Sequence, residues 1–497
     1  MKRNYKETVF YEIYPNSFKD SNGDGYGDLQ GIISKLDYIA SLGFSGIWLN
    51  PIYDSPFFDG GYDIRDFFKV SERFGTEEDL KQLIEECHKR DIRLFLDLVP
   101  GHASFENKEF LESAKPERNE YSDLFIWNDN VWANEPGYRL ISGLFQRFGC
   151  YMVNFFSHQP AINYGFNKVE YPWQHKVGSP EANKGKEFIE SVMDYWLNLG
   201  VDGFRVDMAD SLVKNDGNDK VETIKLWKSI RADLATKHPN FEMVSESLEA
   251  GFDSDFVLDH RGTCSHLLFR LDEYDSEAHT PLLMKYDEEV YNKFKTDLLK
   301  RLSEAKKLNK SLSFISGNHD TLRIANYLDD LALRQAYVFL LTMPGVPFIY
   351  AGDEIGTHSK PIPSVEGGFQ RTGTRMPMRF DSTKNAGFST ANKTFLPTNE
   401  DDSTVEEMEK DPTSLLHFIQ KLIEIRNKES VLTSDEFELL DGNVLSYRRG
   451  NITVYINITN DIQTIQSEEK EILIASGSFK QDGGKIALSP KSSIVIK

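Results

Sequence analysis

The feature that most constrains this chain is an alternation. Short apolar runs of strand character take turns with amphipathic helical runs, which is how successive parallel βαβ units appear in sequence. The strand-like runs are Val9–Tyr14, Gly46–Leu49, Arg93–Val99, Gly203–Asp207, Glu242–Ser245, Leu267–Arg270, Leu312–Ser316 and Pro347–Tyr350. Eight runs predict a closed (β/α)8 TIM barrel. Apolar residues at three- and four-residue spacings predict helices at Leu29–Leu42, Glu77–Lys89, Gly185–Leu199, Glu222–Thr236, Glu288–Leu308, Leu331–Thr342 and Leu415–Asn427, with only a weak helical pattern after the fifth strand.

Two regions break the rhythm. Ala103 to Trp173 is rich in aromatics, prolines and asparagines, and reads as a subdomain inserted after the third strand, overhanging one end of the barrel. After Asn427 come short alternating segments, Val444–Arg448, Ile452–Ile458, Glu471–Ala475 and Ser492–Ile496, separated by turn signals. The expected division is residues 1–102 and 174–428 for the barrel, 103–173 for the insert and 429–497 for a small antiparallel, sandwich-like β domain.

Composition narrows the partners. A formal charge of −21 without basic clusters excludes a phosphate-backbone footprint and suits neutral substrates, and 12% aromatic residues supply faces on which sugar rings stack. No membrane span or export leader is expected, and the three cysteines are odd in number and widely spaced, so the expected compartment is the reducing cytoplasm. Nothing in the pattern fixes an oligomeric state.

Barrel enzymes place their chemistry at the C-terminal ends of the strands. Three acids occupy such places: Asp207 ends Gly-Phe-Arg-Val-Asp, Glu246 follows Glu-Met-Val-Ser, and Asp320 ends Phe-Ile-Ser-Gly-Asn-His-Asp. Retaining glycoside hydrolysis needs one carboxylate to attack the anomeric carbon and one carboxylic acid to protonate the leaving oxygen, and neighbouring strands supply the separation of about 5 Å. Arg205, two positions before Asp207 on the same strand face, is expected to hold Asp207 ionised as nucleophile, leaving Glu246 as the acid. His102 and His319 also stand at strand ends, where they can donate to sugar hydroxyls.

With these residues in view, the sequence from about residue 8 to the C-terminus resembles the α-amylase family of glycoside hydrolases. Four family motifs appear in order, at Asp97–His102, Gly203–Asp207, around Glu246 and at Asn318–Asp320. The resemblance implies Asp207 as nucleophile, Glu246 as acid/base and Asp320 as the carboxylate that binds sugar hydroxyls in the transition state. It implies Arg205, His102 and His319 as ligands of the glucosyl unit. It also implies that Tyr62 stacks on that ring and that Asp63 grips its distal hydroxyls, which favours exo action. Arg375, in Arg-Met-Pro-Met, resembles a substrate-side arginine of the oligo-1,6-glucosidase branch.

Asp20-Ser-Asn22-Gly-Asp24-Gly-Tyr26-Gly-Asp28 carries oxygen side chains on alternate residues with glycine sixth, like the first half of an EF-hand, but Gly31 stands where the closing glutamate belongs. The resemblance to the branch's metal loop implies a structural Ca2+ held by Asp20, Asn22, Asp24, Asp28 and the Tyr26 carbonyl. Gly101 replaces the asparagine that supplies a calcium ligand in secreted α-amylases, so that second site is expected to be absent. Asp210 and Ser211 replace a lysine and a histidine of the endo-acting members, Gln159–Asn163 resembles the branch's glutamine-form motif with Ala161 in place of aspartate, and Met208 matches neither linkage class.

The combined expectation is an exo-acting α-glucosidase or oligoglucosidase on short malto- or isomalto-oligosaccharides. A glucosyltransferase or isomerase acting on sucrose or trehalose-type sugars is the alternative, followed by an inactive carbohydrate-binding barrel.

Overall fold

The protein is described by a computed structural model covering residues 5–132, 134–246, 265–271, 280–466 and 471–497. Seven parallel strands form its central sheet: β1 (Phe10–Ile13), β2 (Gly46–Leu49), β3 (Arg93–Leu98), β4 (Gly203–Val206), β5 (Glu242–Ser245), β6 (Ser313–Ile315) and β7 (Val346–Tyr350). Their order is β5-β4-β3-β2-β1-β7-β6, the sequential winding of a TIM barrel. All residues of β1, β2 and β4 are buried, because helices cover one face and the barrel interior the other.

The interior is packed by size complementarity. Phe10, Trp48, Phe95 and Phe348 fill the barrel, with Phe10 and Phe348 stacked at 4.5 Å. In the paired registers Phe10 faces Gly46 and Phe95 faces Gly203. A Cβ at Gly46 would lie 2.7 Å from the Phe10 ring, and one at Gly203 2.8 Å from Phe95, so the large rings fit because their neighbours have no side chain.

Most expected helices form, for example Glu77–Lys89, whose Thr76 and Asp79 make a capping box. The segment expected as one helix from Leu29 divides into Leu29–Ile33 and Leu36–Ser41. The expected sixth strand does not form: Ser265–Leu268 is a short helix, hydrogen-bonded through its Leu267 and Leu268 carbonyls to the backbone of Leu282 and Leu283. A four-residue apolar run suits a buried helical turn and a buried strand equally, so periodicity had no power to separate them. Ser247 and the weak helical pattern after β5 lie outside the described residues.

Between β3 and β4 the chain builds a three-stranded antiparallel sheet of Trp127–Asn128, Cys150–Met152 and Leu140–Ser142, packed on Phe110. The C-terminal region forms a five-stranded and a three-stranded antiparallel sheet. Arg449 ties it to the barrel, donating to the carbonyls of Thr342, Val431 and Leu432.

Candidate active site

The ladder of the barrel sets the candidate carboxylates Asp207 and Glu246 side by side. Just past the strand ends, Asp207 N–H donates to the Leu98 carbonyl at 2.8 Å and Glu246 N–H donates to the Val206 carbonyl at 2.8 Å. Met208 takes a left-handed backbone conformation, φ 43°, and its N–H donates to Glu246 Oε2 at 3.2 Å. Asp207, Glu246 and Asp320 all open into one cavity of about 370 Å³, whose wall includes Tyr62 and His102.

Arg205 lies beneath this cavity and is 1% exposed. Its Nη1 pairs with Asp97 at 2.9 Å and Asp207 at 3.0 Å, and its Nη2 pairs with Glu246 at 2.8 Å. Arg205 meets Asp207, as its position on the strand face leads one to expect, and it meets Glu246 as well, so one guanidinium serves both acids. Burial and the adjacent Glu246 push the Asp207 carboxyl well above the ordinary carboxylate range, against the pull of Arg205. A neighbouring carboxylate in a dry site makes a carboxyl hold its proton more tightly. Asp97 fixes the arrangement from below, accepting from Trp48 Nε1 at 3.0 Å and the Tyr62 hydroxyl at 2.8 Å.

Asp320 is tuned oppositely. Burial raises its carboxyl, but neighbouring cations outweigh burial and carry it well below the usual range: His319 where acid protonates it, and Arg371 and Arg375 throughout. Arg371 and Arg375 each meet its Oδ1 at 3.0 Å. His319 is sandwiched between the parallel rings of Tyr62 and Tyr14, with centroids 5.3 and 6.0 Å away. Its Nδ1 bonds Glu12 at 2.8 Å, while its buried Nε2 has no hydrogen bond and stands 3.4 Å from Asp320. Burial lowers the pKa of His319 to about 3, so the ring is neutral; it is completely buried and does not itself line the cavity.

His102 is also neutral, lowered to about 3 by burial. Its Nε2 donates to the Tyr62 carbonyl at 3.1 Å and its Nδ1 faces the Asn154 amide at 3.3 Å. Arg375 lies behind Asp320 rather than on the cavity wall, and its Nε donates to the His319 carbonyl at 3.1 Å. The Asp59–Tyr62 turn comes so close that a Cβ at Gly60, φ +59°, would meet Arg375 Nη1 at 2.5 Å.

Asp63, like Arg375, is a sequence-expected residue that does not line the cavity. It is fully buried and accepts from the Phe58 and Asp59 backbone N–H groups at 2.9 and 3.0 Å and from Ser55 at 3.1 Å. Asp59 faces the cavity instead, joined to Arg371 at 3.0 Å and receiving the Gln159 amide at 2.8 Å. The ion-pair chain Asp59–Arg371–Asp320 lines one side of the site, and Arg371 and Asp320 also border a second cleft of about 720 Å³. Sequence reasoning missed Asp59, Arg371 and Glu12; an isolated glutamate inside the fully buried strand β1 was the available signal for the last. Ala161 is completely buried beside Ile126 and Phe166, a place where an aspartate would lose its hydration.

The expected metal loop is closed by hydrogen bonds. Asp20 accepts from the N–H groups of Asn22, Gly23 and Gly25 and from Ser389, and Asp28 accepts from Ser21 and Gly31. Asn22 and Asp24 cap the N–H groups of Asp24 and Tyr26. Among the described residues no three acidic, histidine or cysteine side chains converge as a cation site. The oxygen donors are of the right kind for calcium, but in this form they face the backbone. Beside Gly101, Lys214 Nζ donates to Asn154 at 2.8 Å.

Residues 12–435 match the family model described as "Alpha amylase, catalytic domain". A glucan 1,6-alpha-glucosidase of Streptococcus pneumoniae is 31% identical, with 99% of each chain covered. An oligo-1,6-glucosidase of Halalkalibacterium halodurans is 31% identical, covering 90% of this chain and 88% of that protein. A trehalose synthase/amylase TreS of Mycobacterium tuberculosis is 30% identical, covering 90% and 79%. Among solved structures, the trehalulose synthase MutB from Pseudomonas mesoacidophila shares the fold, at 23% identity and a TM-score of 0.81 over 99% of both chains.

Proposed function

The chain belongs to the alpha-amylase family and is a glycoside hydrolase; from that premise we propose that it is an exo-acting α-glucosidase releasing glucose, with retained configuration, from short malto- or isomalto-oligosaccharides. Asp207 attacks the anomeric carbon while the proton held between Asp207 and Glu246 passes through Glu246 to the leaving oxygen, and Glu246 then deprotonates the water that cleaves the glucosyl ester. The observation that carries the reading is the cavity itself: two acids share Arg205 beneath it, and the Asp59–Arg371–Asp320 chain lines one side of it. Asp59 and Asp320 offer the glucosyl unit hydrogen-bond partners, and Tyr62 offers a stacking face.

Proton NMR of reactions with maltotriose and isomaltotriose tests this. Early α-glucose as the sole small product is expected; β-glucose contradicts the mechanism, and internal fragments contradict exo action. One observation favours glucosyl transfer as a second reading: Phe155, Phe156 and Phe369 crowd the mouth, where they limit water's access to the intermediate. New glycosides formed from sucrose or trehalose are its signature.

We further propose a structural calcium ion in the Asp20–Asp28 loop, supported by the alternating oxygen side chains of Asp20, Asn22, Asp24 and Asp28 and the Tyr26 carbonyl. Calcium is then expected to raise the melting temperature of the chelator-treated protein. An unchanged melting temperature at millimolar calcium contradicts it. A cytoplasmic location is proposed from the buried thiols of Cys87 and Cys150, neither of which is in a disulfide; no helix among the described residues is long and apolar enough to cross a membrane.

A further inference from the structure

The side of the cavity that carries Asp59 and Arg371 is held in a strained form. Phe57, Glu366 and Phe369 all take left-handed backbone conformations, with φ 62°, 48° and 48°. A side chain makes that conformation unfavourable, so it persists only where the surroundings impose it. Gly367, φ +66°, follows Glu366 and presses on the other loop: a Cβ there would collide with the Phe58 carbonyl. Two strained loops thus meet beside the cavity. Each leads to a residue of its wall, Asp59 on one and Arg371 on the other, joined at 3.0 Å.

One guanidinium grips both loops. Arg73, three residues past the strand Asp66–Val70, meets the Glu366 carboxylate with two nitrogens, each at 2.9 Å. It also lies over the Phe57 ring, 3.5 Å from the centroid, and over the Tyr26 ring at 4.3 Å. The ion pair is sheltered, with side chains 19% and 16% exposed, so salt screens it little. Arg73 therefore holds a left-handed residue on each loop, through paired donors to one and a flat cationic face to the other. A lysine offers neither the fork nor the face. Arg371 needs such an anchor, because it lines both the catalytic cavity and the cleft of about 720 Å³ and so has open space on two sides.

We propose that Arg73 is a positioning residue of the glucosyl site: by holding Phe57 and Glu366 in their left-handed forms, it sets Asp59 and Arg371 where they read the hydroxyls of the glucosyl unit. The inference rests on the α-glucosidase reading and extends it to the residue on which sugar selectivity at that wall depends.

The test measures kcat/KM on 4-nitrophenyl α-glucoside and on its 3-, 4- and 6-deoxy analogues, for wild type, Arg73→Lys and Glu366→Gly. Arg73→Lys keeps the charge but loses the fork, and Glu366→Gly releases the loop without strain, because glycine adopts φ 48° readily. Each variant is expected to lose about tenfold on the parent glucoside, or ~1.4 kcal/mol. On an analogue lacking a hydroxyl that Asp59 and Arg371 bind, the loss should shrink to within about twofold, since that contact is already gone. A role confined to stability lowers every substrate alike and leaves the ratios between them unchanged. Unchanged ratios in both variants, or undiminished activity on the parent, overturn the inference while leaving the α-glucosidase reading intact. Inactivity of the wild type on the parent glucoside overturns both.

Discussion

Two regions of this chain gather acidic side chains, and the protein satisfies them in opposite ways. At the strand ends, Asp97, Asp207, Glu246 and Asp320 are matched by buried guanidinium groups, chiefly Arg205, Arg371 and Arg375. In the loop from Asp20 to Asp28, the acids are matched by backbone N–H groups. A carboxylate paired to a cation in a dry cavity keeps lone pairs for a ligand and has its proton affinity set by its neighbours. One saturated by N–H donors shapes the chain. Acidic composition alone does not separate the two; the partner does.

The comparison is broken most severely by removing the nucleophile. Asp207→Asn keeps the shape of the site but is expected to lower kcat by on the order of 10⁴-fold, since it deletes one member of a unit acting together. Steady-state rates check this, and activity within tenfold of wild type would sink the assignment. Arg205→Ala comes next. It leaves three buried acids without their cation and should lower stability by about 3–5 kcal/mol, read from urea unfolding. A loss below 1 kcal/mol would mean the pairing is energetically idle.

The shared proton sharpens the same contrast. Because burial and Glu246 hold the Asp207 carboxyl up, the pair keeps its proton to higher pH than an isolated carboxylic acid. Activity should fall on the alkaline side when that proton is lost and on the acid side when a second is bound, giving a bell in kcat/KM. The alkaline limb is expected well above the ordinary glutamate value of about 4.3. An alkaline limb at that value would show two independent acids. The smallest effect belongs to the loop: Asp20→Ala strands several N–H donors at a partly buried site and should reduce stability by about 1–3 kcal/mol while leaving kcat within about twofold.

The same contrast explains what sequence could reveal. Asp207, Glu246 and Asp320 were legible because each ends a buried run whose strand character is strong, and strand ends point into the barrel mouth. Asp59 and Asp63 flank one short Gly-Gly-Tyr turn, and their spacing is silent about which faces the cavity. The turn decides it, since the Phe58 and Asp59 N–H groups and Ser55 capture Asp63 and leave Asp59 to Arg371. Arg371 itself lies in a 3₁₀ segment with no apolar period to mark it. The C-terminal strand Phe479–Asp482 escaped for a related reason: it is largely exposed, so burial imposes little alternation on it, while Gln463–Gln466 and Lys485–Leu488 alternate over only four residues each. The sixth barrel run was too short to distinguish helix from strand.

The account turns on a covalent bond to Asp207, and that bond can be weighed. Incubation with a 5-fluoro-α-glucosyl fluoride, which forms the glucosyl ester faster than it breaks, followed by peptic digestion and mass spectrometry, reads its position. The predicted result is a single fluoroglucosyl adduct on the peptide carrying Asp207, at that residue. An adduct on any other side chain, or turnover that never labels the protein while producing β-glucose from natural substrates, would contradict the account.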